Sequence, residues 1–117
     1  MRRRLARACV AVALSAGAAG CAGPLARAEA QFADGMYPDA ERSLRSLEAE
    51  SRAWSDPSRA EYALYRGLTL LALGDRERGA RWLREARAID VAHPGSLRPA
   101  DARRLETSLE SAGDAAE

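Results

Sequence analysis

The sequence at residues 55–75 reads SDPSRAEYALYRGLTLLALGD, and it contains the signals that decide the fold. Pro57 suits the first turn of a helix, because its φ is already fixed near the helical value. Gly74 can end that helix in a left-handed conformation, and Asp75 can cap the helix that follows. The stretch therefore predicts a helix, a short turn at glycine and a second helix.

A weaker copy of this unit precedes it at an offset of 39 residues. When residues 25–49 are aligned with residues 64–88, eight of the 25 pairs are identical, and one of these pairs is Gly35 with Gly74. Pro38 is expected to open the second helix of the first unit. One face of that helix should carry Ala40, Leu44, Leu47 and Trp54. Internal repetition of this kind indicates stacked helical units.

The composition agrees with this interpretation. Alanine, leucine, arginine and glutamate are abundant, whereas isoleucine, a strand former, occurs once, at Ile89. We therefore expect an all-α protein without a β-sheet. A third helical segment, over about residues 99–111, begins at Pro99 and is expected to cap the array.

The two units resemble the tetratricopeptide repeat, a pair of antiparallel helices in which small residues let the helices approach closely. The resemblance covers roughly residues 22–91, with units at about 22–55 and 57–91. Arg66 departs from the pattern, because the family usually has a large apolar residue there. The positions that the resemblance assigns to turns and helix packing are Gly35, Ala40, Gly67, Gly74, Gly79, Leu83 and Ala86.

The same resemblance implies an inner groove lined by the first helix of each unit. This groove is largely apolar, which does not suit the capture of a peptide carboxylate. Two occupants are possible: the C-terminal helix of the chain, or an amphipathic segment of a partner protein. The residues assigned to the groove, as a possible partner-binding surface, are Leu25, Phe32, Leu64, Leu68 and Leu71.

The N-terminus has the three-part plan of a secretory signal. Residues 1–7 include four arginines, and residues 8–22 are apolar or small. The sequence AAGC at residues 18–21 resembles the lipobox of bacterial lipoproteins. This resemblance implies removal of residues 1–20 and a lipid on Cys21, whose thiol is the nucleophile available for acylation. Since Ala22 is not aspartate, it also implies an anchor in the outer membrane, facing the periplasm.

Three alternatives compete with lipidation. An ordinary signal peptidase could cut after Ala28, because residues 26–28 have a small-x-small pattern, and this would release a soluble periplasmic protein. Residues 8–26 lack charge and could remain as an uncleaved anchor, although their glycines and proline make a poor spanning helix. Finally, Cys21 could be a small buried residue.

The remaining residues offer little for chemistry. His93 is the only histidine, so a metal site with two histidines is excluded, and we expect neither an enzyme nor a cofactor or metal. Without the four N-terminal arginines, 14 basic residues face 17 acidic ones, which does not suit nucleic acid. Carboxylates such as Glu48 are expected on solvated faces. The same holds for an arginine run that is expected to form salt bridges: Arg76, Arg78, Arg81, Arg84 and Arg87.

Together these features predict a small lipoprotein of the bacterial cell envelope that acts as a protein-interaction adaptor. Its helical domain would occupy residues 21–112, followed by a flexible tail at 113–117. Its partners would be unidentified envelope proteins, with the membrane contacted through the lipid on Cys21. The alternative is a soluble periplasmic accessory protein, released by cleavage after Ala28.

Overall fold

The computed structural model describes residues 23–113, and this part of the chain forms six α-helices and no β-strand. The predicted signal segment, Cys21 and residues 114–117 lie outside it. The all-α class is thus confirmed for the described range, in which no helix is long and apolar enough to cross a membrane. The helices are α1 (Ala26–Ala33), α2 (Tyr37–Ser46), α3 (Glu48–Ser51), α4 (Asp56–Ala72), α5 (Arg76–Ala92) and α6 (Pro99–Ser111).

Two helical hairpins, α1 with α2 and α4 with α5, are closed by equivalent turns. Gly35 and Gly74 have φ values of +76° and +90°, in the left-handed region that favours glycine. In each turn, the amide after the glycine donates to the carbonyl five residues earlier, at 2.9 Å. This is the hydrogen bond that satisfies a helix carboxyl end in a Schellman motif. The turns therefore repeat the same geometry at the 39-residue offset seen in the sequence.

Small residues bring the helices of each hairpin together. Gly67 and Gly79 face each other between α4 and α5, and both are buried. Ala28 and Ala40 take the aligned positions in the first hairpin, where they are 1% and 0% exposed. The second helix of the later hairpin begins as expected, because Asp75 Oδ1 accepts the backbone N–H of Arg78 at 3.1 Å.

The helix expected from Pro38 through Trp54 is instead divided in two, which corrects the sequence prediction. The chain tightens where α2 ends: the Leu47 amide donates to the carbonyl three residues back at 3.0 Å. The Ser46 hydroxyl also donates a hydrogen bond to the carbonyl three residues back, at 2.7 Å. Such local bonds compete with the regular helical pattern. Trp54 lies beyond α3, yet its ring still packs edge-on against Tyr62.

The buried apolar residues form two clusters. The first lies between α1, α2 and α4, and it contains Leu25, Ala28, Leu44 and Tyr62. The second joins α4 and α5 to α6 and the loop before it. Its members are Ala60, Ala63, Leu64, Leu68, Ala80, Leu83, Ala86, Ile89, Leu97, Leu105 and Leu109.

Candidate functional site

The folded domain begins a few residues after the predicted lipidation site. Cys21 itself lies outside the described residues. Leu25 is 4% exposed and Ala28 is 1% exposed, and both belong to the cluster with Leu44 and Tyr62. The chain is therefore already committed to the core four positions after the cysteine.

The residues assigned to an inner groove lie in the interior or at its edge. Leu25, Leu64 and Leu68 are buried, whereas Phe32 and Leu71 are partly buried. Leu64 and Leu68 share their cluster with three leucines from α6 and the loop before it: Leu97, Leu105 and Leu109. The C-terminal helix thus fills this part of the groove, and these side chains do not form an open surface for a partner.

The edge of that groove is closed by aromatic rings and an arginine. Phe32 contacts Tyr37 and Tyr65, with ring centroids 5.2 and 5.6 Å apart. The Arg104 guanidinium of α6 lies over Phe32 at 5.2 Å and over Tyr65 at 5.7 Å. These contacts hold α6 against α1 and α4.

The residues predicted to serve turns and packing lie at turns and helix contacts. Gly35 and Gly74 form the two hairpin turns. Gly67 and Gly79 lie where α4 and α5 approach most closely. The other three are completely buried at 0% exposure: Ala40, Leu83 and Ala86.

A buried guanidinium joins the two hairpins. Arg66 of α4 is 2% exposed, and its Nε and Nη2 donate to the two carboxylate oxygens of Glu41 at 3.1 and 3.2 Å. Its Nη1 donates to Glu48 Oε1 at 2.9 Å and to the Tyr62 hydroxyl at 3.0 Å. The guanidinium also lies over the Trp82 ring, 5.1 Å from the centroid. A paired fork of this kind is the arrangement that arginine favours for carboxylates.

The electrostatics of this network keep Arg66 charged. Burial disfavours the charged guanidinium, but the hydrogen bonds to Glu48 and Glu41 outweigh burial, so the pKa of Arg66 is raised. The pKa of the Tyr62 phenol is also raised, chiefly because the ring is buried. The Tyr62 hydroxyl therefore stays protonated, and it donates to the carbonyl of Leu44 at 2.7 Å.

Sequence reasoning missed this network. Glu48 was expected on a solvated face, but its side chain is 35% exposed and binds Arg66, so that expectation is corrected. Glu41, which is 9% exposed, was not singled out. The available signal was Arg66 itself, a charged residue on an otherwise apolar helix face.

A cleft of about 330 Å³ opens beside the network, between α3, the first half of α4 and α5. Its apolar lining comes from Tyr62, Ala63, Trp82 and Ile89. Its polar lining consists of Glu48, Ser51, Arg52, Arg59, Arg81 and Glu85. The cleft thus combines aromatic walls with three guanidinium groups.

Carboxylates from three helices meet on another side of the domain. The pKa of Glu29 in α1 is raised to about 8 by burial, by a hydrogen bond with Glu61 and by repulsion from Glu61 and Asp101, while Arg98 acts in the opposite direction. Arg98 donates to Asp101 Oδ2 at 3.1 Å. Glu29 and Glu61 therefore share a proton-dependent contact between α1 and α4.

His93 and two members of the arginine run contact residues that are distant in the sequence. His93 directly follows α5, and its Nδ1 lies 3.3 Å from Asp56 Oδ2. In the arginine run, Arg76 donates to the carbonyl of Ala112 and Arg87 to Glu106. Within residues 23–113, no group of three or more histidine, cysteine, aspartate or glutamate side chains is arranged to hold a metal ion.

Comparison of the chain with protein-family models, curated proteins and solved structures gave no match.

Proposed function

We propose that this protein is a lipid-anchored adaptor of the bacterial cell envelope, with a tetratricopeptide-like domain that binds other proteins. The lipid is carried by Cys21, the anchor lies in the outer membrane, and the helical domain faces the periplasm. The charge pattern of residues 1–7 and the AAGC sequence at residues 18–21 support export and lipidation.

The observation that carries the anchoring proposal is the burial of Leu25 and Ala28. Cleavage before Cys21 leaves both side chains in the cluster with Leu44 and Tyr62. Cleavage after Ala28 removes both of them together with the start of α1. Deleting a buried leucine alone costs about 2–5 kcal/mol. The alternative of a soluble protein cut after Ala28 is therefore disfavoured, because it would open this core.

The tetratricopeptide-like part of the proposal is supported by the repeated hairpin. The turns at Gly35 and Gly74 have the same hydrogen bonds, separated by 39 residues. Small residues lie at both helix contacts, with alanines in the first hairpin and Gly67 and Gly79 in the second. Helical hairpins of this kind display side chains on a rigid frame, which suits a scaffold for protein contacts.

Lipidation is tested by labelling cells that produce the full chain with radioactive palmitate. The wild-type protein should be labelled and should sediment with membranes, whereas Cys21→Ser should lose the label. The chain offers a matched control in its other cysteine, Cys9, which lies inside the predicted signal. Cys9→Ser should remain labelled. Equal labelling of wild type and Cys21→Ser, or an intact mass that begins at residue 29, would refute the anchor.

The adaptor role is tested by photo-crosslinking in cells. The chain contains no lysine, so amine-reactive reagents find few targets and a photoreactive phenylalanine analogue is preferable. Three exposed positions sample different surfaces: 73 after α4, 85 on α5 and 103 on α6. An adaptor should form a reproducible crosslink to a defined envelope protein from at least one position. Absence of crosslinks from all three would contradict the role.

A further inference from the structure

We propose that the cleft between α3, α4 and α5 binds an acidic segment of a partner protein, which packs an apolar side chain against Trp82. This proposal rests on the adaptor function and specifies where and how the partner is held. It places the partner on α3, α4 and α5, at a site separate from the groove that α6 fills.

The size and lining of the cleft suit a side chain. Its volume of about 330 Å³ lies at the lower end of the range for ligand pockets, which is enough for one or two large side chains. Tyr62, Ala63, Trp82 and Ile89 form the apolar lining. An aromatic or aliphatic side chain inserted here would leave water and pack against the Trp82 ring, which is only partly buried, whereas Tyr62 is 2% exposed.

The walls of the cleft are already fixed in place. The Tyr62 hydroxyl donates to the Leu44 carbonyl, and the Tyr62 ring lies edge-on to Trp54 and Trp82 at 5.9 and 5.6 Å. The Trp82 ring is held in turn by the Arg66 guanidinium. A partner therefore meets a rigid site, so that little side-chain entropy is lost on binding.

The charges around the cleft favour an acidic partner. Its lining includes Arg52, Arg59 and Arg81 against Glu48 and Glu85. The carboxylate of Glu48 is already bound by Arg66 at 2.9 Å and lies 3.6 Å from Arg52. An incoming carboxylate can therefore reach two exposed guanidiniums, whereas an incoming lysine finds only Glu85 without a described ion pair. Like charges would repel the lysine.

Among the three arginines, Arg81 is the most available to a partner. Arg59 pairs with Asp56 at 2.9 Å, and Arg52 is the exposed neighbour of Glu48. Arg81 is exposed, and it forms no ion pair within residues 23–113. Tryptophan, tyrosine and arginine are also the residue types that dominate binding energy at protein interfaces, especially in preformed pockets. Of these types, the cleft offers Trp82 and Arg81 to a partner.

The test uses the full chain in cells, with the photoreactive phenylalanine analogue at position 85 on the rim and, separately, at position 73 away from the cleft. Mass spectrometry should map the crosslink from position 85 to a partner segment in which aspartates or glutamates flank an apolar residue. The double variant Arg52→Glu/Arg81→Glu should reduce this crosslink by about tenfold or more, since repulsion replaces attraction. The matched variant Arg52→Lys/Arg81→Lys keeps the positive charges and should retain most of the crosslink.

Circular dichroism melting of both double variants controls for folding, which should change little, because both side chains are exposed and an exposed ion pair such as Arg52–Glu48 contributes less than about 1 kcal/mol. A crosslink from position 85 to basic or neutral segments, or to lipid, would overturn the proposal. An equally strong crosslink in the variant Arg52→Glu/Arg81→Glu would overturn it as well. Crosslinks from position 73 or 103 without any from position 85 would overturn the cleft while leaving the adaptor function in place. Silence at all positions would refute both.

Discussion

Gly67 and Gly79 lie so close together that a Cβ built on Gly67 would be 2.8 Å from the carbonyl oxygen of Gly79. The same Cβ would lie 2.6 Å from Leu83 Cδ2. The leucine could rotate, but the backbone oxygen is held by the helix. The contact between α4 and α5 therefore depends on the absence of a side chain at this position.

Gly67→Ala should destabilise the domain by about 1–3 kcal/mol through overpacking. The direction of this change in stability is informative, because alanine in the interior of a helix otherwise stabilises it relative to glycine by about 1 kcal/mol. Urea unfolding measures the difference. Thr107→Ala, at an exposed position of α6, serves as the control and should change stability little. A Gly67→Ala variant as stable as wild type would contradict the close approach.

Arg66→Met should destabilise the domain by about 3–5 kcal/mol, since it leaves the carboxylate of Glu41 buried without its partner. Adding Glu41→Leu should restore much of the lost stability, because the uncompensated charge is then removed as well. The two single variants and the double variant form a cycle that is read by thermal or urea unfolding. Simple additivity of the two losses would show that the side chains are not coupled.

Thr69→Val should stabilise the domain by about 1 kcal/mol. Thr69 is 0% exposed, and its hydroxyl oxygen has no hydrogen-bond partner within the described part of the chain. Valine keeps the shape of threonine and removes the buried polar group. Thr107→Val on the exposed face of α6 is the matched control and should have little effect. A loss of stability in Thr69→Val would indicate a partner for this hydroxyl.

The stability of the domain should fall as pH rises from about 4.5 to about 8, because the pKa of Glu29 is raised to about 8 in the folded protein. In that interval the folded state binds more protons than the unfolded state, so deprotonation favours unfolding. Glu29→Gln should remove this part of the pH dependence, whereas Glu77→Gln, at an exposed position, should retain it. Unfolding curves at pH 5 and pH 9 for the three proteins make the comparison. The same change in the free energy of unfolding between pH 5 and pH 9 in wild type and Glu29→Gln would refute this role of Glu29.

The turns and the helical class could be predicted from sequence because their determinants are local. Gly35 and Gly74 are followed by residues that open a second helix, and the 39-residue offset connects the two units. Local patterns failed where α2 ends at Ser46, since the Ser46 hydroxyl donates to the Ser43 carbonyl, which a continuous helix would use. The periodicity of apolar residues does not reveal this competition between side-chain and backbone hydrogen bonds.

The polar network could not be predicted because its partners are far apart in the chain. Glu41 lies 25 residues before Arg66, and no spacing rule joins residues on different helices. For the same reason, the sequence did not decide whether the C-terminal helix or a partner segment occupies the groove. The sequence indicates that Leu64 lies on an apolar helix face, but only the fold shows that Leu105 and Leu109 pack in the same cluster. The cleft is likewise formed by three helices and is visible only after they pack.

The Tyr62 hydroxyl donates to the Leu44 carbonyl in the first hairpin and accepts from Arg66 within the second. If either hairpin melted alone, the other would keep a buried arginine or a buried carboxylate without its counter-charge. The penalty makes partial melting unfavourable, so the two hairpins should open together as one cooperative unit. A mechanical pull on the N-terminal end of α1 would then meet the resistance of the whole domain.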